Sequence, residues 1–238
     1  MKSDNYKKIA VVTIFAIAMA FLETTVVVYL RKLYYLGGFD FPLKGFIEPW
    51  VLNIEWVREF FTIVMLASIG FLAAKKFYVR FAYFLYSFAV WDLFYYIWLK
   101  VILDWPASWL TWDLLFLIPL PWVSPVLAPI ICSLTMMTLG LLIICFEDKG
   151  KKINLNAREW TFLIAGALII LYTFLYDYSN LIIGGGFAKE FFNLATNSKF
   201  IEIISDYIPA SYMWGKFIIG EIFIVTSIVL FYIRVRKK

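Results

Sequence analysis

Histidine is absent from this chain of 238 residues. That excludes His-ligated haem, an HExxH zinc site and every Ser–His or Cys–His dyad. Any proton transfer must then fall to carboxylate, Tyr or Lys. Cysteine is scarce too: Cys132 and Cys145 share one apolar run. If that run is helical they stand about 20 Å apart, too far for a disulfide or a shared metal. Both read as small buried hydrophobes that carry no information on redox compartment. The chain also lacks a DDxxD diphosphate motif and a GxSxG elbow, so the familiar signatures of hydrolytic and prenyl-transfer sites are missing. No cofactor is expected. Charged residues are only 16% of the chain.

What fills the space is apolar. Hydrophobic residues make up 63% and aromatics 21%, and the mean hydropathy is +0.82. A water-exposed globule of this size cannot hide so much apolar surface, and lipid is its natural solvent. Six windows are long enough to cross a bilayer: Ile9–Leu30, Ile54–Ala74, Phe81–Leu103, Val126–Phe146, Trp160–Tyr178 and Met213–Ile233. The first resembles a signal peptide in its Lys7–Lys8 start and its alternating Ala16, Ala18 and Ala20. Its apolar run continues to Leu30, so an uncleaved span is expected. The fold class expected is therefore all-α: a polytopic membrane protein, one transmembrane domain over 1–238.

Two further segments are read between the spans. Trp109–Leu117 is too short to cross and runs into Pro119, Pro121, Pro125 and Pro129. An interfacial or re-entrant helix is expected there, with Pro125 and Pro129 shaping the entry to the fourth span. Gly184, Gly185 and Gly186 break the chain before an amphipathic stretch, Phe187–Ile208. No internal repeat stands out, which argues mildly against an inverted-repeat transporter.

The net charge of +5 does not point to nucleic acid, because no basic groove or recognition module is visible. The basic residues instead mark topology. Fourteen of the 22 fall in four groups that six spans would bring to one side: Lys2, Lys7, Lys8; Lys75, Lys76, Arg80; Lys149, Lys151, Lys152, Arg158; and Arg234, Arg236, Lys237, Lys238. The positive-inside rule then places both termini in the cytoplasm of a cell-membrane protein.

Ionisable groups inside a bilayer are costly, which makes them informative. With that topology Glu23, Glu55, Glu59, Asp92 and Glu221 share the outer half of the membrane. Glu55, Arg58 and Glu59 share one helical face by their i, i+3, i+4 spacing. Arg58 and Lys100 supply the opposing charge, and Asp113 and Tyr96 are secondary candidates. The inner half of the spans is expected to be nearly free of ionisable groups. A structural role, as paired charges that set helix register, weighs against a functional one. The functional alternative is an outward-facing polar pocket. Its carboxylate excess suits a proton, a hard cation such as Mg²⁺ or Ca²⁺, or a cationic group on a ligand.

Three functions fit this pattern. The first is transport of a small solute or ion. The second is a membrane enzyme acting on a lipid or isoprenoid at the outer leaflet, with Glu55 or Glu59 as base and Arg58 holding an anionic head group. The third is an accessory subunit. On either of the first two readings, Glu59→Gln and Asp92→Asn are expected to abolish activity and spare expression.

Overall fold

Backbone polar groups surrounded by lipid must be satisfied within their own segment, so long apolar runs become helices. The computed structural model describes residues 3–35, 41–42, 48–189, 194 and 197–237. In chain order these form α1 (Ser3–Tyr34), α2 (Pro49–Ala73), α3 (Phe77–Leu103), β1 (Trp112–Leu114), β2 (Val123–Pro125), α4 (Leu127–Asp148), α5 (Ala157–Gly184), α6 (Ser198–Ser205) and α7 (Trp214–Lys237). Six of the helices are long and apolar enough to cross a membrane. They lie where the six apolar windows fall; α2, α3 and α7 are longer by about a turn, and α1 and α5 by more than two.

The helix ends follow local chemistry. Pro49 opens α2 in the first turn, where a missing N–H costs nothing. Asn156 caps α5 and exchanges hydrogen bonds with Glu159 in a capping box. Asp104 ends α3 in the left-handed region (φ 54°), its N–H bonded to the Lys100 carbonyl. Lys100 in turn pairs with the Asp104 carboxylate at 2.7 Å.

Trp109–Leu117 is not a helix. Trp112–Leu114 pairs antiparallel with Val123–Pro125, Asp113 opposite Ser124, and Leu115 N bonds to Trp122 O at 2.8 Å. Pro119 and Pro121 lack N–H groups and push the residues before them out of the helical region. Nine residues cannot nucleate a helix against that. The hairpin is nevertheless drawn into the bundle, with Val123, Ser124 and Pro125 all buried against α4 and α5. Pro129 lies in the first turn of α4. The amphipathic stretch contributes the short helix α6, which buries Phe200 and leaves Lys199 and Glu202 exposed. Residues 190–193 and 195–196 of that stretch lie outside the described residues, as do Lys2, Lys44 and Lys238. The glycine break begins later than read, because α5 runs through Gly184 and turns at Gly185–Gly186.

Side-chain bonds define the end of the bundle that carries both termini. Asn5 of α1 bonds to Asp148 at 2.6 Å, Lys8 reaches the Ala73 carbonyl, and Lys76 pairs with Glu147 at 2.8 Å. The described members of the four basic groups cluster at this terminal end, and the hairpin and α6 lie at the other.

Packing divides the helices into two sets. In one, α3 packs on α1, α2 and α4; in the other, α5 packs on α7. The sets meet through α4 against α7 and through the hairpin against α5. Glycine sets the α5–α7 seam: a Cβ on Gly166 of α5 would stand 2.7 Å from the carbonyl oxygen of Gly220 of α7. Among the described residues no extensive contact joins α5 to α2 or α3, and the space between them is a cavity.

Candidate functional site

The cavity has a volume of about 790 Å³. Its long walls are helix faces read at helical spacing. Phe81, Leu85, Phe88 and Asp92 of α3 face Trp160, Leu163, Ala167 and Phe174 of α5. From Trp160 to Ile182, both on its wall, the cavity follows about 33 Å of α5, the thickness of a hydrocarbon core. At the terminal end it has a floor, where Phe81 and Trp160 meet with ring centroids 5.6 Å apart. Above the floor the lining is aliphatic, including Leu139 and Ile164.

Rings then cross the cavity. Phe116 of the hairpin stacks beside Phe88 (6.5 Å) and meets Trp122 (5.5 Å), and Trp122 stacks on Phe174 of α5 at 5.9 Å. This aromatic belt joins the two helix sets through the hairpin. It accounts for the half-burial of Leu115, Phe116 and Trp122 despite the lack of a helix there.

Around and above the belt stand the carboxylates. Glu23, Glu55, Arg58, Glu59, Asp92 and Glu221 all line this one cavity, together with Asp113 and Tyr96. Lys100 does not: it is half-exposed at the end of α3, occupied by Asp104 and by the carbonyls of Asp104 and Pro106. The pair also holds the exposed Asp104 carboxyl below its ordinary range.

Their partners sort these groups. Arg58 donates to Glu55 from Nε at 2.8 Å and from Nη2 at 2.7 Å, and from Nη1 to Glu23 of α1. All three Arg58 nitrogens are thus engaged within the chain, with Glu55 and Glu23 as counter-ions. Glu59 accepts the Leu117 N–H at 2.8 Å and so ties the hairpin to α2. These four groups are thus bonded within the chain. Asp92 accepts from Ser133 of α4 at 2.7 Å, leaving most of its lone pairs unused. Asp113 takes Tyr96 OH and the Leu114 N–H, each at 2.8 Å. Burial outweighs those bonds and raises its carboxyl to about 6.

Glu221 differs from all of these. It is 8% exposed, and neither carboxylate oxygen has a hydrogen-bond partner. The Cys132 thiol and the Thr135 hydroxyl lie beside it, but neither meets hydrogen-bond geometry with its oxygens, and the Thr135 hydroxyl is turned to the Cys132 carbonyl at 2.9 Å. Cys132 lies near both Asp92 and Glu221, so the two carboxylates flank one turn of α4. Trp91, on the same wall, has a buried Nε1 with no acceptor.

Several members of the site escape sequence reading. Ser133, Thr135, Phe116 and Trp122 look like ordinary span and loop residues, and only tertiary contact gives them roles. Glu159 is a larger omission. It stands one residue before the fifth apolar window, outside the spans whose inner halves are nearly free of ionisable groups, yet it is 1% exposed and bonded by Arg234 at 2.6 and 2.8 Å. Arg234 also binds the Asn154 carbonyl. The capping-box spacing Asn156–Glu159 was the available signal. Among the described residues no three carboxylate, thiol or histidine groups gather as a metal set.

Six helices long and apolar enough to cross a membrane thus enclose a polar site buried beside an apolar groove. Comparison with protein-family models, curated proteins and solved structures gave no match to this chain. Its function is therefore argued from the cavity alone.

Proposed function

We propose that this chain takes a lipid or isoprenoid amphiphile from the bilayer and acts on its polar end. The tail lies along the α3–α5 groove and the polar end meets Asp92, Asp113 and Glu221. One observation carries this reading: from Trp160 to the belt at Phe174 the cavity follows about 21 Å of α5, the length of a lipid tail, with an apolar lining and with Phe81 and Trp160 meeting at its end. An apolar groove with a few convergent polar groups at one end has the form of an amphiphile site. Asp92, held by one hydroxyl, is the group placed for general acid–base work. The basic terminal end lies in the cytoplasm by the positive-inside rule, so the polar part of the site faces the outer leaflet of the cell membrane.

Transport of a small solute or ion is the second reading, and the breadth of carboxylates near the hairpin favours it. The aliphatic lower wall and its aromatic floor offer such a solute no polar partner on the way through.

The test is extraction of lipid from protein purified in mild detergent, followed by mass spectrometry. One amphiphile per chain is expected, and Ala167→Trp, which fills the groove, should remove it. Asp92→Asn should keep the amphiphile but hold it in an unprocessed form. A wild-type protein without bound amphiphile, or an Ala167→Trp variant that retains it in full, would sink the reading.

A further inference from the structure

Groove length says nothing about the head group, but the chemistry of the polar end does. Six carboxylates line the cavity against a single guanidinium. Arg58 is consumed by Glu23 and Glu55, and Glu59 by the hairpin backbone. Asp92, Asp113 and Glu221 remain with no cation beside them among the described residues. Glu221 stands out, because burying a carboxylate with both oxygens unpartnered is strongly unfavourable. A fold keeps such a group where something else completes it.

The neighbouring walls are aromatic. Phe88, Trp91, Phe116, Trp122 and Phe174 border the same space, joined ring to ring. Ring faces attract cations, most strongly once water is excluded. An anionic head would meet three carboxylates and no free cation. A neutral head would satisfy hydrogen bonds but leave the charge excess standing. The carboxylates are spread over α3, β1 and α7 instead of gathered, which fits a broad organic cation better than a small metal ion.

Resting on the groove reading above, we infer that the amphiphile carries a cationic, ammonium-type head group, held by Glu221 and Asp92 within the aromatic belt. The Trp91 N–H, buried without an acceptor, suits an oxygen atom next to the ammonium.

Three probes with the same brominated twelve-carbon chain separate the possibilities: one trimethylammonium, one sulfate and one maltoside. Each is added to the full chain in phosphatidylcholine nanodiscs, and saturable quenching of tryptophan fluorescence is followed. The ammonium probe is expected to bind about tenfold tighter than the other two. Glu221→Gln and, separately, Asp92→Asn should cut that preference to about threefold or less, with the maltoside affinity unchanged. Thermal unfolding of each variant checks that it is folded, and either folded variant suffices for the test. Equal saturable affinity for all three heads, or a preference for sulfate, would overturn the cationic head and leave the groove reading standing. A preference that survives in both folded variants would also overturn it. Absence of saturable quenching by any probe would overturn both.

Discussion

The two ends of the bundle use the same residue types to opposite effect. At the terminal end, among the described residues, the buried charge is matched: Glu159 holds Arg234, and Arg234 also takes Asn154. Two more exposed pairs lie there, Lys76 with Glu147 and Asn5 with Asp148. At the hairpin end the only comparable knot among the described residues is Arg58 between Glu23 and Glu55. Around it stand carboxylates that are half-satisfied, as Asp92 is, or bare, as Glu221 is. A charge that is fully paired across helices holds the fold. One left unpaired beside a cavity is available to something outside the chain. Carboxylate identity alone does not separate these roles; the partner does.

The largest effect expected from breaking this contrast lies at Glu159. Glu159→Ala strands the Arg234 guanidinium and removes half of the α5 capping box. A loss of about 3 kcal/mol is expected, read as a lower unfolding temperature in detergent. Glu159→Gln, which can keep the cap, should lose less. If Glu159→Ala unfolds at the wild-type temperature, the terminal knot is not what joins α5 to α7.

The α5–α7 seam and the α3–α5 gap form a second contrast, and Gly166 tests it. Gly166→Ala drives a methyl group against the Gly220 carbonyl and should cost about 2 kcal/mol. The same change in volume at Ala167, which faces the cavity, should cost almost nothing. Equal losses at the two sites would mean that the gap is packed in solution.

Asp113 sharpens the comparison through pH. Burial raises its folded carboxyl to about 6 from an ordinary 3.8. Its contribution is therefore fully present below about pH 4 and is lost as pH rises through 6, with a slope of at most about 1.4 kcal/mol per pH unit. Asp113→Asn should flatten that part of the stability profile while Tyr96 keeps an acceptor. An unchanged profile would show that another group titrates there.

The smallest effect is expected at Glu221, and its sign is the informative part. Glu221→Gln replaces an unpartnered carboxylate by a neutral amide, so stability should stay within about 0.5 kcal/mol or rise. A marked fall would assign Glu221 to structure, alongside Glu159.

Much of this architecture was legible before any coordinates. The six long helices follow from run length and composition, because lipid allows an apolar segment of that size no other backbone. The spacing of Glu55, Arg58 and Glu59 placed them on one face of α2, and alternating basic segments identified the end of the bundle that they mark. These are local or additive properties, and each is complete within its own stretch of chain.

Pairing is neither local nor additive, and there the sequence is silent. Arg58 chooses Glu23, 35 residues away, and Arg234 chooses Glu159, 75 residues away. Nothing in composition tells the saturated carboxylate from the bare one. The hairpin shows the same limit. Its apolar run suggested a helix, but prolines forbade one, and rings from α3 and α5 hold Phe116 and Trp122 inside the bundle. The cavity is the most tertiary feature of all. It exists because glycines draw α5 against α7 while the hairpin props α5 away from α3, a balance of packing that no single segment contains.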